Sequence, residues 1–244
     1  METPPEGVPR SNLEFAAHTV PINDMRGRES TFSLDTHAFL PLLASDLTRS
    51  SVADFDSTDE RVQETYYPEV EKLLLTNLPG SPHKVVIFDH TIRRSSPGAK
   101  REPVMRTHID QTTTSARERV RVHLGDSAEE LLKGRVRLIN CWRPLNGVVE
   151  SSPLAVADSS TVSDDLLVSV EHRYPHRTGE TAAVKFSEDV KWWYWGGMDN
   201  GERLLLQCFD SEKGGRVPHS AFKLPDQEAK KGRESIEVRA LVFG

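Results

Sequence analysis

Segments typical of β-strands, in which apolar residues cluster or alternate with polar ones, dominate the second half of the chain. The clearest alternation lies at the C-terminus, within RESIEVRALVF, residues 233–243. If this segment is a strand, one side carries Arg233, Ser235, Glu237 and Arg239, and the other side carries Ile236, Val238 and Ala240. One face of this strand is therefore expected to be polar throughout, beside a face that is suited to a core.

Further strands are predicted where β-branched and aromatic residues cluster between turn signals. They are the segment KVVIFDHTIRR from residue 84 and the segments 136–142, 166–174, 181–186, 191–195, 204–210 and 235–243. The segment 12–27, NLEFAAHTVPINDMRG, is also strand-like. The segment of His108 follows a turn-rich loop and is read as strand as well.

Helical spacing appears mainly before the strands. Residues 33–51 place Phe39, Leu42, Leu43 and Leu47 at helical intervals, although Pro41 restricts where that helix begins. Residues 59–78 repeat the pattern with Tyr66, Val70, Leu73 and Leu74, and Pro79-Gly80 ends it. A short helix in SAEELLKG is expected to end at Gly134. Two amphipathic helices are thus expected to precede the main sheet.

Many strands at short intervals, with helices gathered near the N-terminus, favour a mainly β fold with flanking α-helices over alternating βαβ units. The expected architecture is a sheet sandwich or distorted barrel buttressed by the helices. Residues 1–11, rich in Pro, Glu and Gly, are expected to form a flexible N-terminal arm. Residues 12–244 are expected to form a single domain, because a chain of this length can build one large core.

Composition narrows the function classes. The net charge of -6 and the sequence pI of about 5.9 argue against nucleic acid as a partner. The sequence has neither a signal-peptide pattern nor an apolar run long enough for a membrane span, so no membrane partner is expected. Cys141 and Cys208 lie in apolar runs and are expected to be buried thiols, which suits a cytoplasmic protein.

His108 and Asp110 form a His-x-Asp pair, and His219 follows much later in the chain. The pair alone is a weak signal, since a histidine at a strand end is more often a hydrogen-bonded structural residue. Two residues in alternate positions of a strand share one face, and a distal histidine can complete a 2-His-1-carboxylate set. Such a set leaves three positions open on a non-haem Fe(II) ion, which makes His108, Asp110 and His219 candidate metal ligands and catalytic residues.

Beyond His219, Arg233 and Ser235 offer a guanidinium fork and a hydroxyl that suit a carboxylate. Arg143, in NCWRPLNG, is a secondary candidate for the same task. Its alternative role is structural, as an arginine that pairs with an acid at a strand end. Which arginine binds the carboxylate stays open at this point.

These residues follow the pattern of the Fe(II)/2-oxoglutarate-dependent oxygenases: His-x-Asp, a distal His and then, in the isopenicillin-N-synthase-like branch, Arg-x-Ser. The order of TFSLDTHAF, VVIFDHTIRR, THIDQ, RVRLINCWRPL, PLAVADSSTV, WWYWGGM, LLLQCFDS, VPHSAF and RESIEVRALVF resembles the fungal gibberellin-desaturase-like and AsaB-type hydroxylase/desaturase family. The resemblance covers most of residues 30–244.

The resemblance implies a double-stranded β-helix core of the jelly-roll or cupin-like type. It also implies Fe(II) and 2-oxoglutarate as cofactor and co-substrate, with Arg233, Ser235 or Arg143 at the co-substrate's carboxylate. The implied partners are dioxygen and a small secondary metabolite or amino-acid-like substrate. Its C–H bond would be hydroxylated, desaturated or closed into a ring while succinate and CO2 form.

Two alternatives remain at this stage. The chain can be a 2-oxoglutarate-independent iron oxidase, in which Arg233 binds a substrate carboxylate instead. It can also be a non-catalytic accessory barrel, against which the intact set of His108, Asp110 and His219 speaks. The sequence is compatible with a homo-oligomer and does not define one.

Overall fold

Two β-sheets form the body of the protein in the computed structural model, which describes residues 6–7, 11–44, 50–96, 98–175 and 177–244. The strands are β1 Ile22–Asp24, β2 Phe39–Leu43, β3 Lys84–Arg94, β4 His108–Ile109, β5 Val136–Pro144, β6 Leu154–Ala157, β7 Leu167–Tyr174, β8 Arg177–Val184, β9 Trp192–Tyr194, β10 Glu202–Asp210, β11 His219–Ala221 and β12 Glu234–Phe243. The α-helices are α1 Leu34–His37, α2 Asp59–Thr65, α3 Tyr67–Asn77, α4 Thr113–Leu124 and α5 Ala128–Leu131.

The larger sheet has seven strands in the order β1-β9-β6-β11-β4-β8-β7, and the smaller sheet has five in the order β2-β10-β5-β12-β3. Neighbours in space are therefore mostly distant in sequence, as in a jelly roll. The expectation of a mainly β protein with a jelly-roll core and flanking helices is confirmed. In the described part of the chain, no helix is long and apolar enough to cross a membrane.

Strand β12 shows the alternation that its sequence predicts. Ile236, Val238 and Ala240 are buried in one hydrophobic cluster with α3, on the outer side of the five-stranded sheet. Ser235 and Glu237 project to the other side, where they line a pocket between the sheets. The helices thus cover the apolar face of β12, and its polar face is available for a site.

Helices α2 and α3 confirm the predicted helical segment 59–78. The segment is interrupted at Tyr66, and the second helix begins at Tyr67 with Pro68 in its first turn. Val70, Leu73 and Leu74 are buried against the five-stranded sheet. This helix pair is the N-terminal buttress that the sequence predicts.

The predicted helix over 33–51 is wrong for its central part. Helix α1 is a single turn that ends at Ala38, whose φ of 61° is left-handed, and the chain then continues as β2. Strand β2 pairs only with β10 and lies at the edge of its sheet, where Pro41 is tolerated because its missing N–H can face outward. Leu47, which completed the predicted apolar spacing, lies outside the described residues.

Of the remaining segments, some differ from the predictions and others agree with them. Helix α4 was not predicted, although Thr112 caps it and Ala116 and Val120 are buried one turn apart. The short helix before Gly134 is present as α5. Most of the predicted N-terminal arm, 1–11, lies outside the described residues. Both cysteines are free and buried, as expected.

We expect Leu74→Ala to destabilise the protein by about 2–5 kcal/mol, because Leu74 is fully buried between α3 and the sheet and its removal leaves a cavity. Urea unfolding followed by circular dichroism measures the change. The matched control is Leu75→Ala on the same helix, where 37% of the side chain is exposed. Its cost should stay below about 1 kcal/mol. Equal losses from both variants would contradict this packing.

Candidate active site

Two adjacent strands of the larger sheet position the two candidate imidazole ligands. His219 in β11 lies directly opposite His108 in β4 across an antiparallel pair. Side chains of directly opposed residues share a face of the sheet, and the two ring centroids are 4.4 Å apart. The register of this single pair therefore brings together two residues that are far apart in sequence.

Asp110 follows β4 immediately and completes the set. Its Oδ1 lies 3.3 Å from Nε2 of His108 and 3.9 Å from Nε2 of His219. One ligand atom from each of the three residues lies within 4.8 Å of the other two. This spacing lets one metal ion contact all three, as the His-x-Asp and distal histidine pattern predicts.

Backbone carbonyls fix the orientation of both rings. Nδ1 of His108 donates to the carbonyl oxygen of Arg106 at 2.8 Å, and Nδ1 of His219 donates to that of Val217 at 3.1 Å. Each ring is thus held by the carbonyl two residues before it, which leaves Nε2 as the nitrogen that faces the site. Donation from the second nitrogen to a carbonyl is the usual support of a metal-bound histidine.

The carboxylate of Asp110 is held from the opposite sheet. Nε of Arg239 and Nδ2 of Asn140 each donate to Oδ2 at 2.8 Å. Oδ1 alone is left towards the imidazoles, which suits a single metal–oxygen bond. Arg239 is itself oriented by Glu237 and, at 3.1 Å, by Asp89. No role is predicted from the sequence for Asn140 or Arg239, although both hold the carboxylate of Asp110. The only signal for Asn140 is a lone amide in an apolar strand.

The electrostatics of the site favour ligands that are ready for a cation. Burial opposes charge on Asp110, but Arg239 and the hydrogen bond with His108 hold its pKa well below the usual value. Burial, reinforced by His108, lowers the pKa of His219 to about 4, so this ring is neutral near pH 7. For His108, burial is outweighed by Asp110 and the pKa is raised. Of the two imidazoles, His108 is therefore the one that keeps its proton to higher pH, so a metal ion competes with protons more strongly at His108 than at His219.

A pocket of about 380 Å³ opens beside the three residues. His108, His219, Arg233 and Ser235 all line it. Arg233 is buried, stacks 5.3 Å from the ring centroid of Trp142 and donates from Nη1 to the carbonyl oxygen of Ser152 at 2.5 Å. Among the described residues, Nε of Arg233 has no hydrogen-bond partner. A buried guanidinium with an unused donor fits the carboxylate of a bound acid.

Arg143 lies elsewhere. In β5 it is opposite Ile236 of β12, on the face that carries the helices, whereas Trp142 is opposite Glu237 on the pocket face. Its guanidinium donates to Oγ of Ser50 at 2.6 Å and packs near Phe55. The structure therefore does not bring Arg143 to the pocket, because it lies one position out of phase with the residues that face it.

A jelly roll that presents two imidazoles, one carboxylate and a buried arginine to one pocket defines the class of non-haem Fe(II)- and 2-oxoglutarate-dependent oxygenases. Comparison with known proteins agrees with that class. A family model described as "Oxidoreductase/YMDC permease-like domain" matches residues 1–243. The hydroxylase/desaturase poxK of Penicillium oxalicum is 35% identical, with 98% of this chain and 83% of the relative covered.

The Fe(II)/2-oxoglutarate-dependent dioxygenase nvfI of Aspergillus novofumigatus is 32% identical, and the match covers 99% of this chain and 89% of that protein. A solved structure of the iron and alpha-ketoglutarate-dependent endoperoxidase NvfI superimposes with a TM-score of 0.88 at 31% identity, covering 99% and 92% of the two chains. The chain belongs to this family of hydroxylase/desaturases and Fe(II)/2-oxoglutarate-dependent dioxygenases. The resemblance seen in the sequence is confirmed.

We expect Arg239→Leu to weaken binding of Fe(II) by about 10- to 100-fold, because Asp110 loses the donor that turns Oδ1 towards the imidazoles. Anaerobic calorimetric titration measures the affinity. Arg239→Lys keeps the positive charge without the planar guanidinium, so its affinity for Fe(II) should lie between those of the unaltered protein and Arg239→Leu.

The control for this substitution is Arg135→Leu, which removes an arginine that pairs with Asp35 and Asp210 and with none of the three candidate ligands. It should bind Fe(II) as tightly as the unaltered protein does. An Arg239→Leu protein that is folded by circular dichroism and binds Fe(II) with unchanged affinity would show that Asp110 is oriented by other means.

Proposed function

We propose that the protein is an iron- and 2-oxoglutarate-dependent oxygenase in which His108, Asp110 and His219 bind Fe(II), while Arg233 and Ser235 bind the distal carboxylate of 2-oxoglutarate. The observation that carries the proposal is that His108, His219, Arg233 and Ser235 line one pocket, while Asp110 lies close enough to both imidazoles to share a metal ion with them. With both bound, the metal and co-substrate supply the oxidising power for attack on a C–H bond, with succinate and CO2 as co-products.

The side chains of the protein then have defined tasks. Nε2 of His219 is neutral and Oδ1 of Asp110 is ionised, so each can offer a lone pair to a metal ion. A metal ion bound on one side by these two residues and His108 would leave its other side for the co-substrate and dioxygen. Burial of Arg233 excludes water from its guanidinium, which strengthens its attraction for a carboxylate.

The proposed substrate is a small secondary metabolite or an amino-acid-like compound, which is hydroxylated, desaturated or closed into a ring. The names of the relatives support the first two outcomes, because poxK is called a hydroxylase/desaturase. NvfI is called an endoperoxidase, so the outcome differs within the family. The free thiols of Cys141 and Cys208 support a cytoplasmic location.

We expect His108→Ala and Asp110→Ala to abolish stoichiometric binding of Fe(II), because each removes one of three ligands that the fold brings together. The matched control is His90→Ala, since His90 faces Tyr67 and Asp59 on the helical side of the sheet. Metal content is measured after anaerobic loading and desalting. Stoichiometric iron in both ligand variants would contradict the proposed site.

A screen of metabolites with the iron-loaded protein, scored by succinate release, tests the reaction class. Succinate should form only in the presence of dioxygen and should rise with a true substrate. Product without succinate would instead indicate the 2-oxoglutarate-independent iron oxidase. Iron binding with no turnover of any compound and no binding of 2-oxoglutarate would favour an accessory barrel.

A further inference from the structure

Arg93 lies beside the candidate carboxylate site, on the edge strand β3. In the antiparallel pair of β3 and β12, Arg93 is directly opposite Ser235, and Thr91 is directly opposite Glu237. Directly opposed side chains lie on the same face, with Cβ atoms about 4.5–5.5 Å apart. Arg93 lines the same pocket as Ser235 and Arg233. Ser235 is therefore adjacent to two arginines.

The guanidinium of Arg93 has much unused hydrogen-bonding capacity. Its one side-chain hydrogen bond within the described residues runs from Nη1 to the carbonyl oxygen of Glu102, at 3.0 Å. No carboxylate of the described residues lies within 4.0 Å of it. Arg94, the next residue, pairs with Glu234 and Asp56 on the other face of the strand. A half-buried guanidinium with one hydrogen bond and no acidic partner keeps several N–H donors available for an anion.

Arg93 and Arg233 also influence each other. Burial lowers the pKa of Arg233 to about 9, and the positive charge of Arg93 contributes to that shift. Two like charges that line one pocket repel each other, and an anion bound between them would relieve that repulsion. The hydroxyl of Ser235 lies opposite Arg93 and two residues after Arg233. The arrangement is thus suited to an anion that contacts both guanidinium groups.

The acidic groups of the pocket are already committed elsewhere. Glu237 accepts a hydrogen bond from Nη2 of Arg239, and its charge attracts Arg93 across the pocket without a direct contact between the two side chains. Asp110 is engaged by Arg239 and Asn140. Within the described residues neither Arg93 nor Arg233 has a carboxylate within 4.0 Å, so a bound anion can contact both guanidinium groups directly.

We propose that Arg93 is a second guanidinium of the carboxylate subsite, so that the distal carboxylate of 2-oxoglutarate is bound by Arg93, Arg233 and Ser235 together. This inference rests on the proposed function, because it assigns a residue to the co-substrate of that function. It predicts that the pocket selects 2-oxo dicarboxylic acids over 2-oxo acids of equal length that end in a methyl group. Arg93 lies on β3, the edge strand of the five-stranded sheet, so it borders the proposed carboxylate subsite on the side where the sheet ends.

Calorimetry on the Ni(II)-loaded protein tests the proposal without turnover. The two probes are 2-oxoglutarate and 2-oxopentanoate, which has the same chain length and lacks the distal carboxylate. Arg93→Met should weaken binding of 2-oxoglutarate by about tenfold or more, since a charge-assisted hydrogen bond is lost. Binding of 2-oxopentanoate should stay within about twofold, because it has nothing for Arg93 to bind. Arg93→Lys should restore part of the loss through its charge.

The matched control is Arg94→Met, one residue along the same strand and on its opposite face. It should leave the affinity for both probes unchanged. Arg93→Gln serves as a second variant, since its amide can still donate to the carbonyl of Glu102 and so maintain the local fold. Retained Ni(II) binding establishes that each variant has an intact site. A structural role of Arg93 alone would not separate the two probes.

Three results would overturn the proposal for Arg93. One is an affinity for 2-oxoglutarate within about twofold of the unaltered protein in both Arg93→Met and Arg93→Gln. Another is an equal loss for 2-oxopentanoate. The third is an unchanged affinity for 2-oxoglutarate with a raised KM for the oxidised substrate, which would assign Arg93 to a substrate acid. If the unaltered Ni(II) protein does not bind 2-oxoglutarate at all, the proposed function fails, and Arg93 then has no co-substrate to bind.

Discussion

The pairing of β11 with β4 is the constraint on which the site depends. Strand β4 has only two residues, and its contact with β11 is the single register pair of His219 and His108. A shift of one residue in either strand would turn one imidazole to the other face of the sheet. The register is secured by neighbours, because β4 also pairs with β8 and β11 also pairs with β6. Fully buried Ile109 adds to this, since a slip would displace it from the core.

The residues of strand β12 contribute both to the stability of the protein and to the candidate site. Its outer residues anchor the helices, and its inner residues place Ser235, Glu237 and Arg239 in a poorly hydrated space. Burying such charges costs free energy unless each finds a partner. Arg239 is central to the compensation, because its guanidinium contacts Asp110, Glu237 and Asp89. The same contacts that make the buried charges tolerable also orient the carboxylate that faces the histidines.

Much of this could be predicted from the sequence where local pattern and fold agree. The alternation in β12, the His-x-Asp pair and the segment 59–78 have side chains whose spacing already implies a shared face. The prediction failed where pairing between strands determines the secondary structure. Residues 39–43 have helical spacing but lie in edge strand β2, since pairing with β10 outweighs weak local preference.

Arg143 shows a second reason why the candidate site could not be predicted fully from the sequence. The choice between Arg143 and Arg233 depends on which face of β5 is turned to the pocket, and no local pattern in a strand that is buried throughout can determine that. Asn140 and Trp142 face the pocket, and the intervening and following residues face the helices. The position of Arg93 beside Ser235 could not be predicted from local pattern either, because it follows only from the register of β3 against β12.

The long connection between β11 and β12 shows why spacing in sequence is a poor guide to position in a site. The side-chain oxygen of Gln227 accepts from the backbone N–H groups of Leu224 and Ser152, and the carbonyl of Ser152 in turn accepts from Arg233. At Gly232 a β-carbon would lie 2.4 Å from the carbonyl oxygen of Ser95, so only glycine lets the chain approach β3 closely enough there. The free energy of closing a loop rises only slowly with the length of the loop. The anchoring contacts, and not the number of residues in the connection, therefore determine where Arg233 lies. Residues of the connection away from these anchors can therefore vary while the arginine keeps its place in the pocket.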